Sequence, residues 1–309
     1  MIRFKLPDDL FDDPSDNLPD GWSRMVPDIA ERRVVIVIGS GVSRHSSGSG
    51  GKRPPLWKEF LEQAIGECSD INDADRDIIK DAISKGDYLH ACEWLKKELD
   101  SRWTSFLRDM FQKPKYEISD LHKAIHALDS RIVFSLNFDD IYERYVRHEE
   151  RGTCTIKNYY DDDVEEFLRG SGRYIVKVHG SLDSVSKLIF TQKDYSQARV
   201  ENSKFYQAFD AALLNYTFIF IGCGISDPDI SLILENQKFL YQEQNPHFFI
   251  TSKGMSSYHK HSLRENRNLK VLEYDPIDDD HIGLVNALNL LNKEVEYRRY
   301  DVEKYIQAK

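Results

Sequence analysis

The chain has 309 residues, of which 30% are charged and 40% hydrophobic, and a formal net charge of −10. A mainly acidic surface, with a pI near 5.5, argues against broad, sequence-independent gripping of nucleic acid. No segment approaches the ~18 consecutive apolar residues of a membrane-spanning helix, and the length exceeds most single cores, which predicts one large α/β domain carrying an inserted helical lobe. Cys68, Cys92, Cys154 and Cys223 form no CxxC pair, so a zinc ribbon is not expected and free thiols in a reducing cytoplasm are.

In chain order, residues 1–30 read as an acidic arm with Asp-Asp-Pro and Leu-Pro-Asp turn signals, neither a signal nor a transit peptide. Val34–Ile38 is a continuous β-branched run, the pattern of a strand buried on both faces of a parallel sheet. It runs into Gly39-Ser40-Gly41-Val42-Ser43. Such a turn serves either to bring backbone N–H groups to a phosphate or simply to join strand and helix closely. The strict dinucleotide fingerprint is not met, because Arg44 stands where its third glycine would be. The Ser/Gly-rich stretch 46–55 reads as a flexible loop, either a lid or plain surface. A helix follows from Leu56 to Glu67. Apolar spacing then predicts helices over 73–84, 87–99, 102–112 and 119–128, so that a helical insertion occupies about 69–128.

Ile132–Leu136 reads as a second buried strand, with Asn137-Phe138-Asp139-Asp140 at its carboxyl end and a helix from Ile141 to Glu149. Asp139 or Asp140 suits a helix N-cap; capping explains Asn137 less well. The acids of 161–166 read as a solvated helix start. Tyr174–Val178 is a third strand, ending in His179-Gly180-Ser181. His179 either exchanges a proton near neutral pH or is a buried structural histidine. A helix over 205–214 and a fourth strand, Thr217–Ile221, lead into Gly222-Cys223-Gly224-Ile225-Ser226-Asp227-Pro228, where Asp227-Pro228 opens a helix reaching about Tyr241. Strands over 247–251 and 270–274, a helix over 281–291 and a charged helical tail complete the chain. The fold class is therefore α/β, a Rossmann-like parallel sheet with helices on both faces. Four polar or Gly-rich motifs each follow a strand, and a parallel sheet places such ends along one edge.

These motifs, in this order, resemble the sirtuin fold, and most nearly the bacterial sirtuin-like NAD-hydrolysing effectors of antiphage defence found in Thoeris systems and sirtuin–HerA pairs. Gly39–Ser43, Pro55-Leu56-Trp57, Ser135–Asp139, Val178–Ser181 and Gly222–Pro228 carry the resemblance, which spans roughly 33–275. It implies a sirtuin-like domain over 31–292 and a tail over 293–309. It implies no metal and no zinc module, since the paired CxxC motifs of deacylating sirtuins are absent. The implied activity is an NAD+ glycohydrolase yielding nicotinamide and ADP-ribose, as the toxic effector of an abortive-infection system. Asn137 and His179 would be catalytic, Asn137 holding the ribose or water and His179 acting as general base. Gly39, Ser40 and Gly41 would bind the pyrophosphate through backbone N–H groups, with Ser43 an added polar contact. Asp139 would bind the carboxamide, and Gly222, Ser226 and Asp227 the adenosine side. The resemblance further implies a homo-oligomer in the bacterial cytoplasm, without membrane or nucleic-acid binding. It also implies a latent state gated by the Gly/Ser loop, the arm or the lobe, with a HerA-type hexameric ATPase as candidate trigger. The rival readings are a module that binds NAD or ADP-ribose without turnover, an NAD-dependent deacylase, and a nuclease using Asp139, Asp140 and the 161–163 acids.

Overall fold

The structure, a computed structural model, describes residues 18–225, 227–241 and 244–307. Seven strands form one wholly parallel sheet: β1 (Val34–Ile38), β2 (Ile132–Ser135), β3 (Thr155–Asn158), β4 (Tyr174–Lys177), β5 (Thr217–Ile221), β6 (His247–Ser252) and β7 (Leu269–Tyr274), in the order β3-β4-β2-β1-β5-β6-β7. β1 is buried at every position and pairs with β2 on one side and β5 on the other. That central place is why its sequence is an unbroken β-branched run. The expected α/β class, with helices on both faces, is what the structure has.

One face of the sheet is covered by α1 (Val26–Ala30), α7 (Asp120–Ala127), α8 (Ile141–Glu149) and the long α14 (Ile282–Gln307). The other carries α10 (Gln192–Glu201), α11 (Ser203–Asn215) and α12 (Pro228–Leu240), with Phe134, Phe209 and Phe218 at the centre of its core. A third apolar cluster joins α3 (Trp57–Glu67), α4 (Asp73–Ser84), α5 (Tyr88–Leu99) and α6 (Trp103–Phe111) to Leu182, Leu188 and Phe190. This is the helical lobe; of the short helices, α2 (Ser40–Ser43) follows β1 and α9 (Glu166–Arg169) lies between β3 and β4. Its core draws in α3 and the segment after β4, whereas α7 packs on α14.

Residues 1–17 of the expected arm lie outside the described residues. The rest of the arm packs on the body: Trp22, Met25 and Ile29 are fully buried, and the Trp22 indole donates to the Glu273 carbonyl at 3.2 Å. The helix expected over 281–291 continues without a break through the stretch read as a separate tail. The Ser/Gly loop is pinned: Ser49 N–H donates to Pro114 O and Gly48 N–H to Lys52 O, each at 2.7 Å, and Arg53 pairs with Asp280. Among the described residues no helix is long and apolar enough to cross a membrane, and no cluster of three or more His, Cys, Asp or Glu could hold a metal.

Candidate active site

The strand register brings Ile38, Ser135, Lys177 and Ile221, the last residues of β1, β2, β4 and β5, to one edge. The residues that follow them surround a cavity of about 260 Å³, closed on the far side by Trp57 of α3 and by Asp87-Tyr88-Leu89 at the start of α5. Of the residues singled out from the sequence, Gly39, Ser40, Ser43, Asn137, Asp139, His179 and Asp227 line it. Gly41 and Gly222 do not, and Ser226 lies outside the described residues.

The glycines explain each other. The N–H of Gly39 donates to Ile221 O at 3.1 Å and that of Gly41 to Gly222 O at 2.9 Å. A Cβ on Gly39 would lie 2.5 Å from Gly222 O, and one on Gly222, whose φ is +62°, would lie 2.7 Å from Val42 N. The expectation that Gly39 and Gly41 offer their N–H groups to a pyrophosphate is therefore corrected. Those donors are consumed by the β5 end, and the missing side chains are what let the two strand ends touch. Ser40, from the same turn, lines the cavity. Gly222 packs against the Val42 backbone and does not line it.

Asn137 is 6% exposed and ties the β2 end to the β1 turn: its Nδ2 donates to Gly39 O at 3.0 Å and to Ser43 Oγ at 2.9 Å. With both amide hydrogens used, its Oδ1 accepts none of the described hydrogen bonds, so Asn137 offers the cavity an acceptor. Ser43 in turn hydrogen-bonds the Asp139 carboxyl, which also accepts Ile141 N–H at 3.1 Å at the start of α8. Burial pushes the Asp139 carboxyl up, against the pull of Lys177 and these hydrogen bonds. Beneath it Lys177 is fully committed: Nζ lies 2.7 Å from Glu143 Oε1, 2.5 Å from Asp139 O and 3.4 Å from Ser135 Oγ.

His179 is also 6% exposed. Its Nδ1 faces Leu136 O at 3.1 Å, and its Nε2 faces Asp227 Oδ2 at 2.9 Å. Burial would lower the imidazole pKa, but the charge and hydrogen bond of Asp227 outweigh it, and the net shift is upward; Asp227 is held correspondingly low. Both bear on what the sequence suggests: Asp227, expected on the adenosine side, lies against the histidine, and both ring nitrogens of His179, expected as a general base, face acceptors. Tyr195 was not found from the sequence. It lines the cavity and donates to Asp227 Oδ2 at 2.7 Å. The signal was there: Thr191 and Asp194 form a capping box that starts α10 and sets Tyr195 in its first turn.

The wall opposite the polar edge is aromatic. Phe138 stacks on Phe190 with ring centroids 4.1 Å apart, and Trp57 meets Phe138 edge-on at 6.4 Å and stacks parallel to Tyr88.

A parallel α/β sheet with a buried Asn and a His–Asp pair at its carboxyl edge defines a ligand-binding site of the open doubly wound class. Within that class, the model of the SIR2-like domain family matches residues 131–272. The chain is 26% identical to the NAD(+) hydrolase ThsA of Enterococcus faecium over 188 residues, 59% of this chain and 39% of that protein. It is 23% identical to the NAD(+) hydrolase ThsA of Acinetobacter baumannii over 231 residues, 74% of this chain and 44% of that protein. It is 21% identical to the Defense-associated sirtuin 2 of Bacillus subtilis over 258 residues, 81% of this chain and 24% of that protein. The chain thus spans less than half the length of each of these relatives.

Proposed function

We propose that this chain is an NAD+ glycohydrolase, cleaving NAD+ with water to nicotinamide, ADP-ribose and a proton, and that it serves as an effector of bacterial antiphage defence. The observation that carries the reading is that Asn137 and His179, themselves buried and at the ends of two different strands, line one cavity with Ser40. The names of the relatives, NAD(+) hydrolase and defence-associated sirtuin, support it.

The bond between ribose C1′ and the nicotinamide nitrogen breaks, and its electron pair leaves with the base, which departs neutral. The aromatic wall of Trp57, Tyr88 and Phe138 suits a flat, uncharged leaving group. Positive charge gathers on the ribose, and water bonds to C1′ while losing a proton. The site therefore works by orientation and fixed dipoles rather than by a strong acid. Asn137 Oδ1 accepts a hydrogen bond from a ribose hydroxyl or from the attacking water. His179 takes the proton after its Nε2 has been freed of its own. Ser40 and Ser43 meet the polar side of the substrate, Asp139 lies beside the carboxamide, and no metal is used. A homo-oligomer, a HerA-type ATPase as trigger and a cytoplasmic location belong to this proposal by analogy with the resembling family.

The test is incubation of the purified chain with NAD+, alone and with its genomic neighbour's product, and chromatography for nicotinamide and ADP-ribose. Asn137→Ala and His179→Ala each remove turnover while melting as cooperatively as the parent. Turnover retained within tenfold, worth ~1.4 kcal/mol of transition-state stabilisation, in either variant refutes its role. One observation favours a second reading, a module that holds NAD+ or ADP-ribose unchanged: both nitrogens of His179 already face acceptors. Binding without products would establish it.

A further inference from the structure

The Asp227 carboxylate does more than a helix cap requires. One oxygen, Oδ1, accepts Ile230 N–H at 2.9 Å and opens α12. A cap needs nothing further. Yet the second oxygen, Oδ2, is approached by two side chains from two other segments: the Tyr195 hydroxyl of α10 at 2.7 Å and His179 Nε2, after β4, at 2.9 Å. All three side chains are buried at the cavity wall. The opposite ring nitrogen of His179 faces a carbonyl, which only accepts, so Nδ1 carries a proton whatever happens at Nε2. The ring's proton state is therefore decided at Asp227.

The surrounding charges do not compete for that carboxylate. Asp229, the next acid, is taken by Arg199 at 2.5 Å and by the Tyr206 hydroxyl at 2.6 Å. Among the described residues, Asp227, Asp229, Tyr195, Tyr206, Arg199 and the Cys223 thiol, which burial pushes up, are the ionisable groups around this end of the ring.

We propose that Asp227 and Tyr195 are positioning residues for His179: the carboxylate grips the ring by Nε2 and fixes when that nitrogen carries a proton, and the tyrosine locks the carboxylate in place. This rests on the reading of His179 as the group that takes the proton from the attacking side. Turnover then waits for loss of the Nε2 proton to solvent, and the acid limb of the rate profile belongs to the His179–Asp227 pair rather than to a lone imidazole. The arrangement also holds the ring plane still between Leu136 and Asp227.

Asp227→Asn is the discriminating variant, because asparagine caps helices as well as aspartate does and leaves α12 its start. Two readouts are taken on the whole chain. The first is the titration of His179 by nitrogen-detected imidazole NMR, assigned by difference against His179→Gln. In the parent the ring titrates above an ordinary imidazole; in Asp227→Asn its midpoint falls by roughly 1–3 units, the range expected on removing an adjacent opposite charge. The second is the pH profile of NAD+ hydrolysis. Its acid limb moves down by the same amount while maximal kcat falls at least tenfold. Tyr195→Phe leaves the His179 midpoint above that of Asp227→Asn and lowers kcat several-fold, with KM for NAD+ within twofold of the parent. A His179 titration in Asp227→Asn that superimposes on the parent's overturns the proposal, as does an acid limb that does not move. If the parent hydrolyses no NAD+ while the NMR midpoint still falls, the grip of Asp227 on the ring stands and the hydrolase reading fails.

Discussion

Lys177 offers a sharp test of how the site is supported from below. Its side chain is 2% exposed and that of its partner Glu143 is 6% exposed, and each of its three N–H groups has an acceptor. Lys177→Met fills a similar volume but leaves the Glu143 carboxylate buried beside a bare methyl group. Breaking a buried pair in this way costs about 3–5 kcal/mol, on the order of 10 °C in Tm for a chain of this size. The cost has a sign with pH. Burial already pushes the Glu143 carboxyl up, in spite of Lys177. Without the lysine its folded pKa climbs further above the unfolded value. An acid shifted in that direction is stabilising while protonated and loses that stability as pH rises through its folded pKa. The variant is therefore penalised more at pH 8 than at pH 5.5. Adding Glu143→Leu removes the stranded charge and recovers most of the loss. Urea unfolding of the parent, single and double variants at both pH values measures all of this. A single variant within 1 kcal/mol of the parent at pH 8, or a double no better than the single, refutes the reasoning.

Two further expectations concern stability. His122 and His247 are buried neutral, pushed down by burial to about 3 and about 4. Each accepts a backbone N–H at Nδ1, from Ser119 and Phe218 respectively. Their unfolded forms bind protons near pH ~6.5 and the folded forms do not, so this stability is complete above that pH and lost as pH falls. Going from pH 7.5 to 5 costs about 2 kcal/mol for each. His179, shifted upward, works in the opposite sense and offsets part of it. Equal urea midpoints at the two pH values would contradict the assignment. Gly222→Ala meets the Val42 backbone at 2.7 Å from a left-handed φ and destabilises by roughly 2–4 kcal/mol. Gly66→Ala, on an exposed turn of α3 with nothing within 4 Å, stabilises by about 1 kcal/mol; thermal melts of the two variants should move in opposite directions.

The elements legible in the sequence are those whose burial leaves a pattern. β1, β2, β4 and β5 are buried on both faces and read as apolar runs. β3 is four half-buried residues at the sheet edge, Thr-Ile-Lys-Asn, and has no run to read. α13 (Ser257–Arg267) buries no residue, so its polar sequence carries no apolar stripe. The long α14 looked like a helix and a tail because its later turns lose the core: Val295 is buried and Tyr297 is 45% exposed. Site residues were legible one strand end at a time, since polar groups after a buried strand stand out. What they touch was not. Nothing in Gly39-Ser40-Gly41 announces that the Ile221 and Gly222 carbonyls will consume two of its donors, and nothing in Asp227-Pro228 distinguishes a cap from a cap that also holds a histidine.

The site's construction follows from strand order rather than chain order. β4, β2, β1 and β5 are neighbours in the sheet, and hydrogen bonds cross every gap between their ends. His179 Nδ1 reaches Leu136 O, Asn137 Nδ2 reaches Gly39 O, and Gly39 N–H reaches Ile221 O. The contact of His179 with Asp227 then closes the circuit back from the first strand end to the last. Polar atoms spent in this circuit are unavailable to a ligand without breaking it. The Asn137 acceptor and the Ser40 side chain lie on the cavity side outside this circuit, and in the proposed reaction they are groups that meet the polar substituents of the ribose. A substrate that also draws on His179 must first separate it from Asp227, so binding and the release of that ion pair are one event in this fold.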